Sequence, residues 1–168
     1  MMDKIKVYDN FLTPKEQGVI NKIITGSNWK FGHSSNGTPN GNSFWQIHEL
    51  ENNEFFSVDL LNKIKEKTGD DFDVERIYMN GHTAGSHGNI HKDSDDDRGR
   101  TFLIYCNQTW HPEFGGNTMF LDGDRIISTY PYPYSSVYFQ NNIEHFAGPL
   151  SRNFNGLRVT LAFKLFLK

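Results

Sequence analysis

The stretch "NIHKDSDDD", residues 89 to 97, sets a histidine and a carboxylate two positions apart at the head of an acidic run. Side chains of an extended backbone alternate with a period of two, so His91 and Asp93 project to one side and Lys92 to the other. One imidazole and one carboxylate at a common point are what a divalent metal with nitrogen and oxygen preference needs. Alone, this pair is a weak signal. A third ligand is offered by "SVYFQNNIEHFAGPL", an apolar strand-like run, a polar turn and then His145 at the start of a fresh short strand. Two histidines and one carboxylate on one face leave three adjacent positions of a metal open, a set that serves non-heme iron(II) and zinc alike.

The last strand-like run, "LRVTLAFKLFL", separates those two chemistries. Arg158, Thr160, Ala162 and Lys164 alternate with Val159, Leu161, Phe163 and Leu165, so the second set faces a core and the first faces away from it. An unpaired guanidinium on the inside of a barrel is expensive, and it grips a carboxylate through two parallel bonds. A dicarboxylate that chelates the metal at one end and meets Arg158 at the other satisfies both groups.

These residues need elements to carry them. "KIKVYDNFLTPKEQGVINKIITG" reads as a strand at Ile5 to Tyr8, then Thr13 as N-cap, Pro14 at the first helical position and Glu16 closing a capping box. Val19, Ile20, Ile23 and Ile24 share one face of that helix, Leu12 is placed to staple onto it, and Gly26 ends it. A second helix is expected from about Glu54 to Lys67, with Phe55, Val58 and Leu61 as its stripe and Phe56, Leu60 and Ile64 on the flank. Residues 30–43 are rich in Gly, Ser, Asn and Pro and read as an exposed connection, with a substrate lid as the alternative. From Phe72 onward short apolar or alternating runs separated by Gly, Pro and Asn predict a barrel or jelly roll. The expected fold is mainly β, with two N-terminal helices packed on the β body.

Composition bounds what such a site serves. A chain of 168 residues with 14 Phe, 7 Tyr and 3 Trp has material for a sizeable core and fits one domain, 1–168. The net charge of −3 disfavours strong nonspecific binding to nucleic acid or anionic membrane. A single cysteine, Cys106, excludes an internal disulfide. No apolar run reaches the roughly 18 residues of a membrane span, and the expected location is the cytoplasm.

The order "HKD", then "RGRTFLIYCNQTWHPEFGGNTMFLD", then "EHFAGP" and "GLRVTLAF" resembles the prolyl 4-hydroxylase-like branch of the 2-oxoglutarate and Fe(II)-dependent oxygenases, including small versions found in bacteriophages. "VYDNFLTPKEQGVI" also looks like that family's opening segment, so the resemblance covers most of the chain. It implies a double-stranded β-helix, or jelly roll, and a reaction that splits 2-oxoglutarate with O2 into succinate and CO2 while hydroxylating a C–H bond, with ascorbate as an accessory reductant. It implies His91, Asp93 and His145 as iron ligands and Arg158 as the partner of the distal carboxylate of 2-oxoglutarate. Tyr105 matches a tyrosine that helps hold that carboxylate, Tyr78 an upstream tyrosine near the cosubstrate, and Thr118 stands in "GGNT" where the family has "GGET". The implied substrate is a prolyl residue in a peptide or protein.

The interval between His145 and Arg158 is longer than is usual in the family, which makes Arg152 a rival of Arg158. Arg158 is preferred because it begins the alternating strand, whereas Arg152 sits among Asn and Gly. His33, His48, His82, His87 and His111 read as surface or core histidines, with His82 and His87 flanking the site. Asp95 to Asp97 read as a solvated loop. Trp110 and "YPYPY" at 130 to 134 read as packing at strand ends, with an aromatic groove for a peptide as the alternative. Two further functions compete: oxidation of nucleic acid or a small metabolite, and a noncatalytic metal- or ligand-binding module.

Overall fold

The strand that begins at Arg158 organises the molecule. In the computed structural model, which describes residues 4–35 and 42–168, β10 (Arg158–Leu167) lies between β4 (Phe72–His82) and β5 (Gly99–Tyr105), antiparallel to both. These three belong to a seven-stranded sheet in the order β1-β8-β5-β10-β4-β3-β2, where β1 is Ile5–Tyr8, β2 Lys30–His33, β3 Phe44–Ile47 and β8 Ser136–Gln140. A smaller sheet has the order β7-β6-β9, from β6 (Thr118–Asp122), β7 (Arg125–Thr129) and β9 (His145–Ala147). The expectation of a mainly β body with two helices on it holds.

The alternation read in β10 places its two faces as expected. Val159, Leu161, Phe163 and Leu165 join Ile77, Met79, Phe102 and Ile104 in the main core. That face is covered by α1 (Pro14–Ile24) through Ile20 and by a second helical segment through Phe56, Leu60, Leu61 and Ile64. Tyr105, Phe120, Val137, Phe139 and Ile143 form a second cluster that draws on both sheets. The capping box of α1 is present: Thr13 Oγ1 accepts from the Glu16 N–H, and Glu16 Oε2 accepts from the Thr13 N–H at 2.7 Å. At the other end Trp29 Nε1 donates to the Ile24 carbonyl, occupying one of the terminal acceptors.

Two expectations need correction. The second helix opens with wide π-type turns over Phe55–Leu60 before α2 (Leu61–Thr68), and Gly69 ends it with φ 80°. Wider turns rotate the phase of the stripe, so Phe56, Leu60 and Ile64 are buried while Val58 faces solvent. The connection 30–43 was expected to lack structure, yet it begins with β2, an edge strand paired to β3. Residues 36–41, the centre of the proposed lid, lie outside the described residues. Among the described residues no helix is long and apolar enough to cross a membrane.

The aromatic segments serve packing. Trp110 packs edge-on against Phe114 and at a tilt against Phe154 and donates from Nε1 to the Gly115 carbonyl, Tyr130 donates to the Trp110 carbonyl, and Tyr134 shares a hydrogen bond with Asn21. Tyr132 alone of the three tyrosines is largely exposed.

Candidate metal and dicarboxylate site

His91 and His145 are fixed side by side by a reciprocal backbone pair: each N–H donates to the other's carbonyl, at 3.0 and 2.9 Å. Their ring centroids are 4.4 Å apart. The Asp93 N–H donates to the Asn141 carbonyl, which brings the carboxylate to the same side as His91, as the period of two requires. Asp93 Oδ1 lies 3.4 Å from His91 Nε2, and Asp93 Oδ2 lies 3.6 Å from His145 Nε2. Ligand atoms of the three residues all fall within 4.8 Å of one another.

Both imidazoles are oriented for ligation. His91 Nδ1 sits 2.8 Å from the Asn89 carbonyl and His145 Nδ1 sits 2.9 Å from the Ile143 carbonyl. A carbonyl only accepts, so each Nδ1 carries a proton, and in the neutral ring Nε2 is the nitrogen that presents a lone pair to the cluster. Burial pushes His145 down to about 4, against the opposing Asp93 charge and with the Lys164 charge adding to it, so His145 is neutral at pH 7. Burial alone would raise Asp93, but the Lys164 ammonium holds its carboxyl well below the usual range. Two imidazole nitrogens and one carboxylate oxygen, with the far nitrogens anchored, fit an iron(II) or zinc ion.

Arg158 opens β10, with a side chain buried in the same cavity of about 340 Å³ that the cluster lines. Its Nε has no hydrogen-bond partner among the described residues, and its Nη2 reaches Thr118 Oγ1 at 3.4 Å. The guanidinium carbon lies 5.7 Å from the Tyr105 ring centre, and no carboxylate pairs with it among the described residues. Burial pulls its pKa below the ordinary value. An orphan buried cation facing a cavity is the feature a carboxylate ligand would satisfy. Arg152, the rival, is exposed.

Thr118 lines the cavity beside Arg158. The Tyr105 hydroxyl donates to Thr118 Oγ1 at 2.8 Å and also meets Thr129 Oγ1 at 2.7 Å, so it braces Thr118 from the core side. Tyr78 lines the cavity farther out, under the Arg76 guanidinium at 5.4 Å. The Gly115-Gly116 pair has positive φ at both residues; a Cβ on Gly116 would stand 2.9 Å from Arg158 Cδ, so that glycine makes room for the cation.

Three cavity residues had no specific role from the sequence. Lys164 was placed on the inner face of β10, and it is buried there against Asp93. Thr101 donates to Asp93 Oδ2 at 2.7 Å. His82, opposite Arg158 in the β4 register, is buried with neither ring nitrogen partnered, and lies against the Phe44 ring. The strand period could have found all three, since they lie in register with the inner positions of β10. His33 also lines the cavity, His87 bonds Asn42, and His111 is exposed. Asp95 and Asp97 are exposed, as a solvated loop requires.

No family model matches the sequence, and no curated protein matches it. Solved structures do match the fold. A prolyl hydroxylase from Trichoplax adhaerens, in complex with a peptide fragment of the hypoxia inducible factor oxygen degradation domain, superposes with a TM-score of 0.76 over 97% of this chain and 83% of its own, at 12% identity. A Pseudomonas putida prolyl-4-hydroxylase gives 0.67 over 98% of this chain and 93% of its own, at 18% identity. The non-heme α-ketoglutarate-dependent epimerase SnoN from nogalamycin biosynthesis gives 0.71 over 97% and 77%, at 10% identity. The bacteriophage part of the expected resemblance finds no support among these structures. The chain folds as 2-oxoglutarate- and Fe(II)-dependent oxygenases fold, prolyl hydroxylases among them.

Proposed function

We propose that the protein is a single-domain 2-oxoglutarate- and Fe(II)-dependent dioxygenase built on a double-stranded β-helix. The observation that carries the proposal is the buried Arg158, without a carboxylate partner among the described residues, in the cavity that also holds His91, Asp93 and His145. The three ligands alone suit zinc as well, and it is the unpaired cation in the same cavity that favours a dicarboxylate cosubstrate. His91, Asp93 and His145 would hold iron(II), which supplies the activation of O2 coupled to oxidative decarboxylation of the cosubstrate. Arg158 takes the distal carboxylate of 2-oxoglutarate. Thr118 donates beside it, Tyr105 holds Thr118 in place, and Tyr78 borders the cosubstrate toward the mouth. The overall change is R–H, O2 and 2-oxoglutarate giving R–OH, succinate and CO2.

The substrate we assign is a peptide or protein, hydroxylated at a prolyl residue. A surface depression of about 850 Å³ shares His33, Arg76 and Tyr78 with the catalytic cavity, which favours an extended chain laid across the mouth. The prolyl assignment itself rests on the resemblance and on the prolyl hydroxylases that share the fold. Small molecules are the second reading, favoured by the epimerase that shares the fold. Succinate formation with Fe(II), O2 and ascorbate, measured against proline-containing peptides, small metabolites and single-stranded nucleic acid, tests the proposal. Expected are iron-dependent succinate and one oxygen added to a peptide. Succinate no higher than in the metal-free control with every substrate would favour a noncatalytic binding module.

A further inference from the structure

Lys164 is a lysine where a strand core would accept any apolar residue. Its side chain is 4% exposed, and Asp93, also 4% exposed, is its one carboxylate partner among the described residues. The ammonium donates to Asp93 Oδ2 and to Thr101 Oγ1. Thr101, on β5, donates its single proton to the same Oδ2. The Thr101 hydroxyl also lies 2.7 Å from the Asn141 amide oxygen, while Asn141 Nδ2 is buried without a partner. Turning that amide over lets Nδ2 donate to Thr101 and leaves the threonine proton for Asp93. Two donors from the large sheet thus occupy Oδ2, and Oδ1 is left toward His91 Nε2.

We propose that Lys164 is a positioning residue: with Thr101 it clamps Asp93 through Oδ2, so that the carboxylate meets a metal through Oδ1 alone. This rests on the function proposed above. A carboxylate free to turn could chelate through both oxygens and close a position that a cosubstrate needs. The clamp prevents that, at the expense of a cation held beside a dication. Replacing Lys164 by Met therefore has two opposed effects. Metal binds more tightly, because the repulsion is gone and Asp93 in the metal-free protein has lost its counter-charge. Binding of 2-oxoglutarate to the metal-loaded protein weakens, because the second oxygen now competes for the open position.

The test is titration of wild type, Lys164→Met, Lys164→Arg and Thr101→Val with Mn(II), followed by 2-oxoglutarate on each Mn(II)-loaded protein. For Lys164→Met the expected result is Mn(II) affinity up and 2-oxoglutarate affinity down, each about tenfold, the scale on which groups behind a ligand act. Lys164→Arg restores 2-oxoglutarate affinity to within about threefold, since it keeps charge and donors. Where Lys164→Met does not fold, Thr101→Val decides: it keeps the charge pair, removes one of the two donors and lowers 2-oxoglutarate affinity about threefold. Unchanged 2-oxoglutarate affinity in the variant that decides overturns the proposal, as does joint weakening of both ligands in Lys164→Met, which a merely structural lysine would give. Wild type that binds 2-oxoglutarate equally with and without Mn(II) sinks the functional reading instead, and the Mn(II) shift still reads the lysine.

Discussion

Replacing Arg158 by Met should stabilise the ligand-free protein and abolish its response to 2-oxoglutarate. The guanidinium is 2% exposed, its Nε is unpartnered, and its nearest polar contact is the 3.4 Å approach to Thr118. Burying an uncompensated cation costs several kcal/mol even after relaxation. The long hydrogen bond and the contact with the Tyr105 ring return about 1–2 kcal/mol of that. Met keeps much of the stem's volume without the charge, so the net gain is about 2 kcal/mol, or roughly 4–8 °C for a chain of this size. Wild type with 2-oxoglutarate at a hundred times its Kd should gain about 2.7 kcal/mol by mass action, and the variant nothing. Thermal unfolding of both proteins with Mn(II), with and without 2-oxoglutarate, reads both effects. Arg152→Ala, on the exposed loop, should behave as wild type, and Lys at 158 should recover only part of the ligand response. An Arg158→Met protein less stable than wild type, with its ligand shift intact, would refute the assignment of the buried cation to the cosubstrate.

Two further outcomes follow from the same geometry. Burial, and secondly the Arg158 charge, pushes His82 down to about 3, so the unfolded chain takes up this proton first as pH falls. The stability tied to neutral His82 is full above about pH 6.5 and is lost on acidification; between about pH 6.5 and 4 the metal-free wild type should lose about 3 kcal/mol more than His82→Phe. Urea unfolding across that range checks it, and parallel curves would contradict it. Gly116→Ala forces a Cβ into φ 73° and against Arg158 Cδ. It should destabilise by about 1–3 kcal/mol and weaken 2-oxoglutarate binding about tenfold in calorimetry, whereas intact affinity would mean that Arg158 has room to move.

The parts of the site that depend on chain-local geometry were legible in the sequence. His91 and Asp93 share a side because extended backbone repeats every two residues, and Arg158 faces inward because Val159, Leu161 and Phe163 must face the core. The capping box of α1 is local in the same sense. What escaped depends on partners distant in sequence. Lys164 stood on the correct face, but its pairing with Asp93 follows from β10 lying beside β5, which carries Thr101 opposite Lys164. Val58 was misplaced because period arguments assume 3.6 residues per turn, and the π-type opening breaks that assumption. The strand β2 carries only Phe31 as a large apolar residue and a glycine at its centre, so it has no alternating signal. The mouth of the cavity draws on His33 from β2 and on Arg76 and Tyr78 from β4, a juxtaposition that no single segment encodes.

The central claim is that one cavity holds iron(II) on His91, Asp93 and His145 and 2-oxoglutarate between that iron and Arg158. Anaerobic protein given Fe(II) and 2-oxoglutarate should develop a weak metal-to-ligand charge-transfer band in the visible, which requires both components bound to each other. The account expects the band in wild type, its loss in His91→Ala, and its recovery only at much higher 2-oxoglutarate concentration in Arg158→Ala. A band of unchanged intensity in His91→Ala, or none in a wild-type protein shown to have bound Fe(II), would contradict it.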